Sequence, residues 1–368
     1  MSAFKLKIID RLFVFELSKM LASVMLVLSV ILISQRLVRY LSKVSSGELS
    51  ADAVLSLVGF NMVLLLIKLL PAALLVSILL VLGKMYRDNE MSALFSAGVG
   101  LSRVYRSVFL FVTPLFVVSI YLSLVTMPWG LQQIEMVKSN DQSSLDIRGI
   151  TDGRFNEYSQ GDLVFYVEDI TDDDKMLNVF IQNRQHGKLG ITASKSGEIR
   201  VDEKTGDRFI ILNDGNRYEG VPGQADYKVT KFQEYGVVVA EKSDVKVAFD
   251  TKELSSLELI GLSNPRAVSE LQKRLSIPIA LIMFAILAVP ISRVSPRAGM
   301  YGNLLTTLLI YIVYENLMSL SHSWIVKGQV SAWIGVWWVH LFVLIVALVM
   351  LVRMLGLDYV KSVLMGRS

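Results

Sequence analysis

Apolar residues gather into six long runs along the chain, roughly 17–40, 53–82, 104–127, 272–292, 301–321 and 331–355. Each reaches the length of about 20 residues that a helix needs to cross about 30 Å of hydrocarbon. Between the third and fourth runs the pattern changes. Short alternating segments at 163–167, 179–181, 209–212 and 235–239 are separated by polar clusters at 172–175, 195–197, 202–206 and 213–216. Short strands with Gly, Asn and Asp turns predict a sandwich or barrel. The expected fold is a membrane α-helical bundle of six helices with an all-β domain inserted between helices 3 and 4. Its boundaries fall at 1–129 and 266–368 for the helical halves and 130–265 for the β domain. Within the last stretch, 251–270 reads as a polar connector, broken by Ser263-Asn-Pro265 before the fourth helix.

Composition supports the membrane reading. The 368 residues are 53% hydrophobic and 19% charged, where a soluble protein has about one quarter charged. The first run starts too deep and continues too far for a cleaved signal peptide, and is expected to be a retained helix. Cysteine is absent, which removes disulfides, thiolate metal sites and cysteine nucleophiles together. Basic residues gather at the N-terminus (Lys5, Lys7, Arg11, Lys19), between spans two and three (Lys84, Arg87, Arg103, Arg106), between four and five (Arg293, Arg297) and in the tail (Arg353, Lys361, Arg367). The positive-inside bias then predicts cytoplasmic termini and an extracytoplasmic middle domain.

No P-loop, His-Glu-x-x-His or Gly-x-Ser-x-Gly motif occurs. His186, His322 and His340 are scattered and make a poor metal set. Energy for any transport would come from another subunit or an ion gradient. Three segments carry more information. At the outer end of the first helix, Ser34-Gln-Arg-Leu-Val-Arg-Tyr-Leu-Ser-Lys43 sets Arg36, Arg39 and Lys43 on one helical face. That placement runs against the positive-inside bias, so an anionic headgroup site stands beside simple interfacial anchoring. Between spans two and three, Asp88 and Asn89 can cap a short helix at about 88–98 that Gly98 ends. Its stripe of Met91, Leu94 and Phe95, with Glu90 beside it, suits either a lipid surface or a groove in a partner motor subunit. Pro290 to Arg297 reads as a tight structural turn. Lys68 in the second span and Glu315 in the fifth either snorkel and pair within the bundle or face a cavity.

Over essentially its whole length the chain resembles the LptF/LptG permease family of the lipopolysaccharide export ABC transporter. The resemblance is carried by Ser34-Gln-Arg-Leu-Val-Arg39, Asn89-Glu-Met-Ser-Ala-Leu-Phe-Ser-Ala-Gly98 and Pro290-Ile-Ser-Arg-Val-Ser-Pro-Arg297, the first and last of which favour the LptF branch. Asn213-Asp-Gly-Asn-Arg-Tyr-Glu-Gly220 and Thr230-Lys-Phe-Gln-Glu-Tyr235 agree with it. It implies a heterodimer with an LptG-type permease in the inner membrane and two copies of an LptB-type ATPase. It also implies a periplasmic β-jellyroll that hands lipopolysaccharide to LptC and then LptA. No cofactor is implied on this chain, ATP being bound by the partner ATPase. By the same match Arg36 and Arg39 meet the glycolipid phosphates and Glu90 engages the ATPase. Lys43 and Lys68 stand on physical grounds alone. A structural adaptor of an envelope complex, binding proteins through a free strand edge, is the competing class.

Overall fold

A computed structural model describes residues 8–45, 49–143, 153–158, 163–171, 175–185, 188–201, 208–220, 228–240, 249–262, 264–293 and 300–356. Pro296, Arg297, His186 and the turn cluster at 202–206 lie outside them, as do Lys5, Lys7, Lys361 and Arg367.

Six helices among the described residues are long and apolar enough to span a membrane. They are α1 (Ile8–Ser45), α2 (Ala51–Arg87), the continuous run of α4 (Leu101–Tyr121) and α5 (Met127–Ser143), and α7 (Pro265–Ile291), α8 (Met300–Val326) and α9 (Trp337–Leu355). Short helices α3 (Glu90–Ser96) and α6 (Ser256–Gly261) lie between them in the chain. The helices outrun the apolar runs because polar turns continue them at both ends. The 38 residues of α1 make a rod about 57 Å long at about 1.5 Å per residue. A π-helical turn, Leu122–Thr126, joins α4 to α5.

The polar stretch 251–270 is more ordered than a connector. Ser255 accepts from the Glu258 amide while Glu258 accepts from the Ser255 amide, a capping box that starts α6. Asn264 accepts from the Ala267 amide at 2.7 Å, with Pro265 in the first helical position, so α7 begins well before its apolar run. From there α7 packs against α4, α6, α8 and α9. Leu281, Phe284, Ala285 and Ala288 are fully buried in one cluster with Val108, Val112, Val339 and Val343. The alanines let neighbouring backbones approach where apolar burial against lipid gives no drive.

The sheet is a six-stranded antiparallel meander in chain order: β1 (Phe155–Tyr158), β2 (Leu163–Ile170), β3 (Met176–Gln185), β4 (Lys188–Val201), β5 (Arg208–Gly220) and β6 (Lys228–Ala240). The register sets Phe165 opposite Ile181 and Val167 opposite Val179, and these join Met176, Ile210 and Leu212 in one buried cluster. At Gly215 a side chain would collide with the Phe232 ring and the Ala193 carbonyl, so only glycine allows that approach. The neighbouring register row aligns Phe155, Tyr166 and Phe180 beside Ala193, which line a shallow groove of about 380 Å³ with Asn178.

Two expected turns, 195–197 and 213–216, lie inside β4 and β5 instead. They face each other across the ladder, Ser194 opposite Gly215 and Ser196 opposite Asn213, and Lys195 pairs with Asp214 at 3.9 Å. Asp214 takes a positive φ of 51°, so the turn-forming residues are absorbed as an irregularity in long strands. Residues 1–36, 58–134 and 249–368 form one compact unit, and 37–57 with 135–248 form a second.

Candidate transport and coupling sites

At the α3 end of the helices, Lys84 and Arg87 close the last turn of α2. The Asp88 carboxylate takes Arg87 at 3.1 Å and does not cap α3. Asn89 holds the cap position with φ 60° and no side-chain cap bond, a backbone geometry that asparagine tolerates. The expected cap chemistry is thus replaced by a backbone turn. The other end behaves as expected. Gly98 at φ 80° donates to the Phe95 carbonyl and Val99 donates to the Leu94 carbonyl, both at 3.0 Å, the paired bonds of a Schellman ending.

The apolar stripe of α3 is split. Met91 is fully buried in the core cluster, Leu94 packs partly against it, and Phe95 and Glu90 are exposed. Met91, expected to face a partner, instead pins α3 to the bundle, because its side of the short helix meets Tyr86 and the α1–α4 core. Glu90, Phe95 and the outer edge of Leu94 remain for contact.

Beside α3 lies a cluster that the sequence reading missed. Asp10, in the first turn of α1, is buried; Arg103 reaches its Oδ2 at 2.8 Å and Ser107 donates to its Oδ1 at 2.7 Å. Both carboxylate oxygens are therefore taken, by the first two turns of α4. The available signal was an acid ahead of the first apolar run, facing Arg103 among the basic residues counted only for orientation.

At the end where the β insertion leaves and re-enters the helices, Arg36 donates to Asn61 Oδ1 at 2.8 Å. Arg39 and Lys43, further along α1, are exposed. Two turns beyond Asn61 on α2, Lys68 is exposed although it lies inside a span. It sits in the electrostatic field of Lys273, Arg36, Glu270 and Glu315. Glu315 is also exposed and lies close to Tyr311, one turn earlier on α8. Lys68 and Glu315 are thus brought into one charged patch with groups from α1 and α7. Exposed ionic groups on membrane helices require water or a polar ligand, and this patch offers a wall of that kind.

Arg274 was also missed, since it stands at the start of the fourth apolar run and was not singled out there. Its guanidinium is wholly buried. Nε meets Glu270 at 3.4 Å, one amino group donates to Ser256 Oγ at 2.9 Å, and the other donates to the Lys252 and Leu254 carbonyls at 3.0 and 2.9 Å. Ser256 in turn donates to the Leu124 carbonyl in the π-helical turn at 2.6 Å, and Gln132 donates to the Glu253 carbonyl at 2.8 Å. The result is a saturated clasp where the chain re-enters the helices. Of the two described histidines, His322 meets Ser269 at 3.1 Å and His340 lies between the rings of Tyr314 and Trp337.

A family model described as "Lipopolysaccharide export system permease LptF/LptG" matches residues 11–353. Lipopolysaccharide export system permease proteins LptF from Escherichia coli strain K12, Escherichia coli O157:H7 and Shigella flexneri are each 25% identical to this chain over 346 residues. The match covers 93% of this chain and 94% of theirs.

Proposed function

The chain belongs to the LptF/LptG family of lipopolysaccharide export permeases, and from that membership we propose that it is the LptF-type subunit of an ATP-driven transporter. The family makes it a transport component with no catalytic role of its own. In this reading it sits in the inner membrane with both termini cytoplasmic and its β domain periplasmic. It pairs with an LptG-type permease, and two LptB-type ATPases bind the α3 side. Lipopolysaccharide is lifted from the bilayer and passed through the β domain toward LptC and LptA.

The observation that carries this reading is the charged patch on otherwise apolar helices. Arg36 and Lys68 offer cations to phosphate oxygens, Arg39 and Lys43 extend that charge along α1, and Glu315 and Glu270 keep the patch from being uniformly basic. Such mixed charge, open to the surface of a span, suits an anionic amphiphile that enters sideways and leaves again. At the other end, Glu90 and Phe95 present one carboxylate and one ring on a helix fixed by Met91, which suits a groove in a motor subunit.

Photocrosslinkers at Arg36 and at Phe180 in the β domain test the reading. Capture of lipopolysaccharide at both, dependent on ATP at Phe180, is the expected result. Capture of protein alone favours an adaptor. Arg36→Asp combined with Arg39→Asp should weaken crosslinking from Lys68, and unchanged yield would leave both arginines as interfacial anchors.

A further inference from the structure

We propose that Asp10, Arg103 and Ser107 form the pivot through which movement of α3 is passed to α1, a role that rests on the ATPase-driven reading above. Three observations meet there. First, α3 is locked to the bundle: Met91 is buried in the same cluster as Phe13 and Leu17 of α1 and Val104 and Val108 of α4. Second, α4 begins three residues after Gly98, so any push on α3 arrives directly at Arg103 and Ser107. Third, those two side chains hold both oxygens of a buried carboxylate in the first turn of α1.

The packing of α1 makes that attachment matter. Its residues that join or pack on the core run from Ile9 to Leu28. Beyond Ser29 it adds none, and Leu26, Val30, Ile31, Val38 and Leu41 are exposed. A helix packed into the core along its first half, and tied beyond it by the Arg36–Asn61 hydrogen bond, turns about its more firmly held end. Apolar packing around Phe13 and Leu17 resists separation but does little against rotation or sliding. An ion pair joined to a second hydrogen bond fixes both, because each carboxylate oxygen has its own donor. Displacement of α4 by a fraction of a turn must then carry the N-terminal end of α1 with it, and the far end, with Arg36, swings further.

The chain has no cysteine, so spin labels can be placed at Ile31→Cys on α1 and Met62→Cys on α2 in the full transporter in lipid. The distance between them is read without nucleotide and with ATP and vanadate. The unaltered pivot should show a nucleotide-dependent shift, which Asp10→Ala reduces roughly two-fold or more. ATPase binding should be retained. Asp10→Asn, which keeps one acceptor oxygen and loses the charge, should fall between. The exchange Asp10→Arg with Arg103→Asp should restore part of the shift. An undiminished shift in Asp10→Ala overturns the proposal, as does the lack of any shift with the pivot intact. Loss of ATPase binding in both Asp10→Ala and Asp10→Asn also overturns it, since the cluster would then be a folding element. Failure of an ATPase to copurify with the unaltered chain counts against the parent reading instead.

Discussion

Helices α1 and α7 have the same mean hydropathy, 2.2 in their most apolar windows, yet 17% of that window is buried in α1 and 67% in α7. Lipid satisfies an apolar side chain as well as protein does, so hydropathy says only that each helix can cross. What separates them is the content of the remaining positions. Along α7, alanines alternate with Leu281 and Phe284, and prolines interrupt without breaking. The polar first turns carry Glu270, Gln272 and Arg274, all buried and all bonded. Along α1, branched and long residues cover every face, and the charged groups lie toward its ends. One helix is built to be surrounded by its own chain; the other is built to meet something else.

Arg274→Ala is the strongest way to break that contrast. It leaves Glu270 buried without its arginine and two carbonyls short of donors, a loss of about 3–5 kcal/mol. The thermal midpoint in detergent should fall clearly, and an unchanged midpoint would remove α7 from its central place. A paired substitution comes next. Phe284→Ala should cost about 3–5 kcal/mol, while Ile31→Ala on α1 should stay within about 0.5 kcal/mol. Equal losses would mean that α1 is as embedded as α7 within this chain. Then α3 can be divided against itself: Met91→Ala should cost about 2–5 kcal/mol. Glu90→Arg should leave the midpoint within about 0.5 kcal/mol and remove the ATPase from the purified complex. Retention of the ATPase by Glu90→Arg with normal lipopolysaccharide delivery would end the coupling role.

The smallest effect concerns acid. The Ser255 amide donates to Glu258 and holds its carboxyl below the usual carboxylate range. A depressed folded pKa means that the bond's contribution is present above the unfolded value and fades as pH falls through the folded one. Protection of the Ser255 amide from exchange, measured against an unfolded reference at the same pH, should therefore fall toward acid pH, and Glu258→Gln should flatten that dependence.

Six spans were legible because a bilayer tolerates no other way to satisfy long apolar backbone. The β insertion was legible from its short alternating segments. Less readable was direction. Helical spacing put Met91, Leu94 and Phe95 on one stripe, but two packing environments divide it, and spacing carries no sign of which side is inward. Arg274 and Asp10 share another difficulty. A single charge in a polar stretch looks solvated until its partners arrive from residues far along the chain, as Arg103 does from 93 positions away. The turn-like cluster at 213–216 misled for the converse reason: local chemistry favoured a bend, and cross-strand pairing outweighed it.

The length of α1 has a consequence for bilayer thickness. A rod of about 57 Å tilted by about 40°, the upper end for membrane helices, still projects about 44 Å along the normal. Hydrocarbon takes up about 30 Å of that. With its first turn held beside α4 through Asp10, the excess must emerge at the other end, where Arg36, Arg39 and Lys43 lie. The height of that basic tip above the lipid tails is then set by how thick the membrane is, and a thinner bilayer would lift it further out.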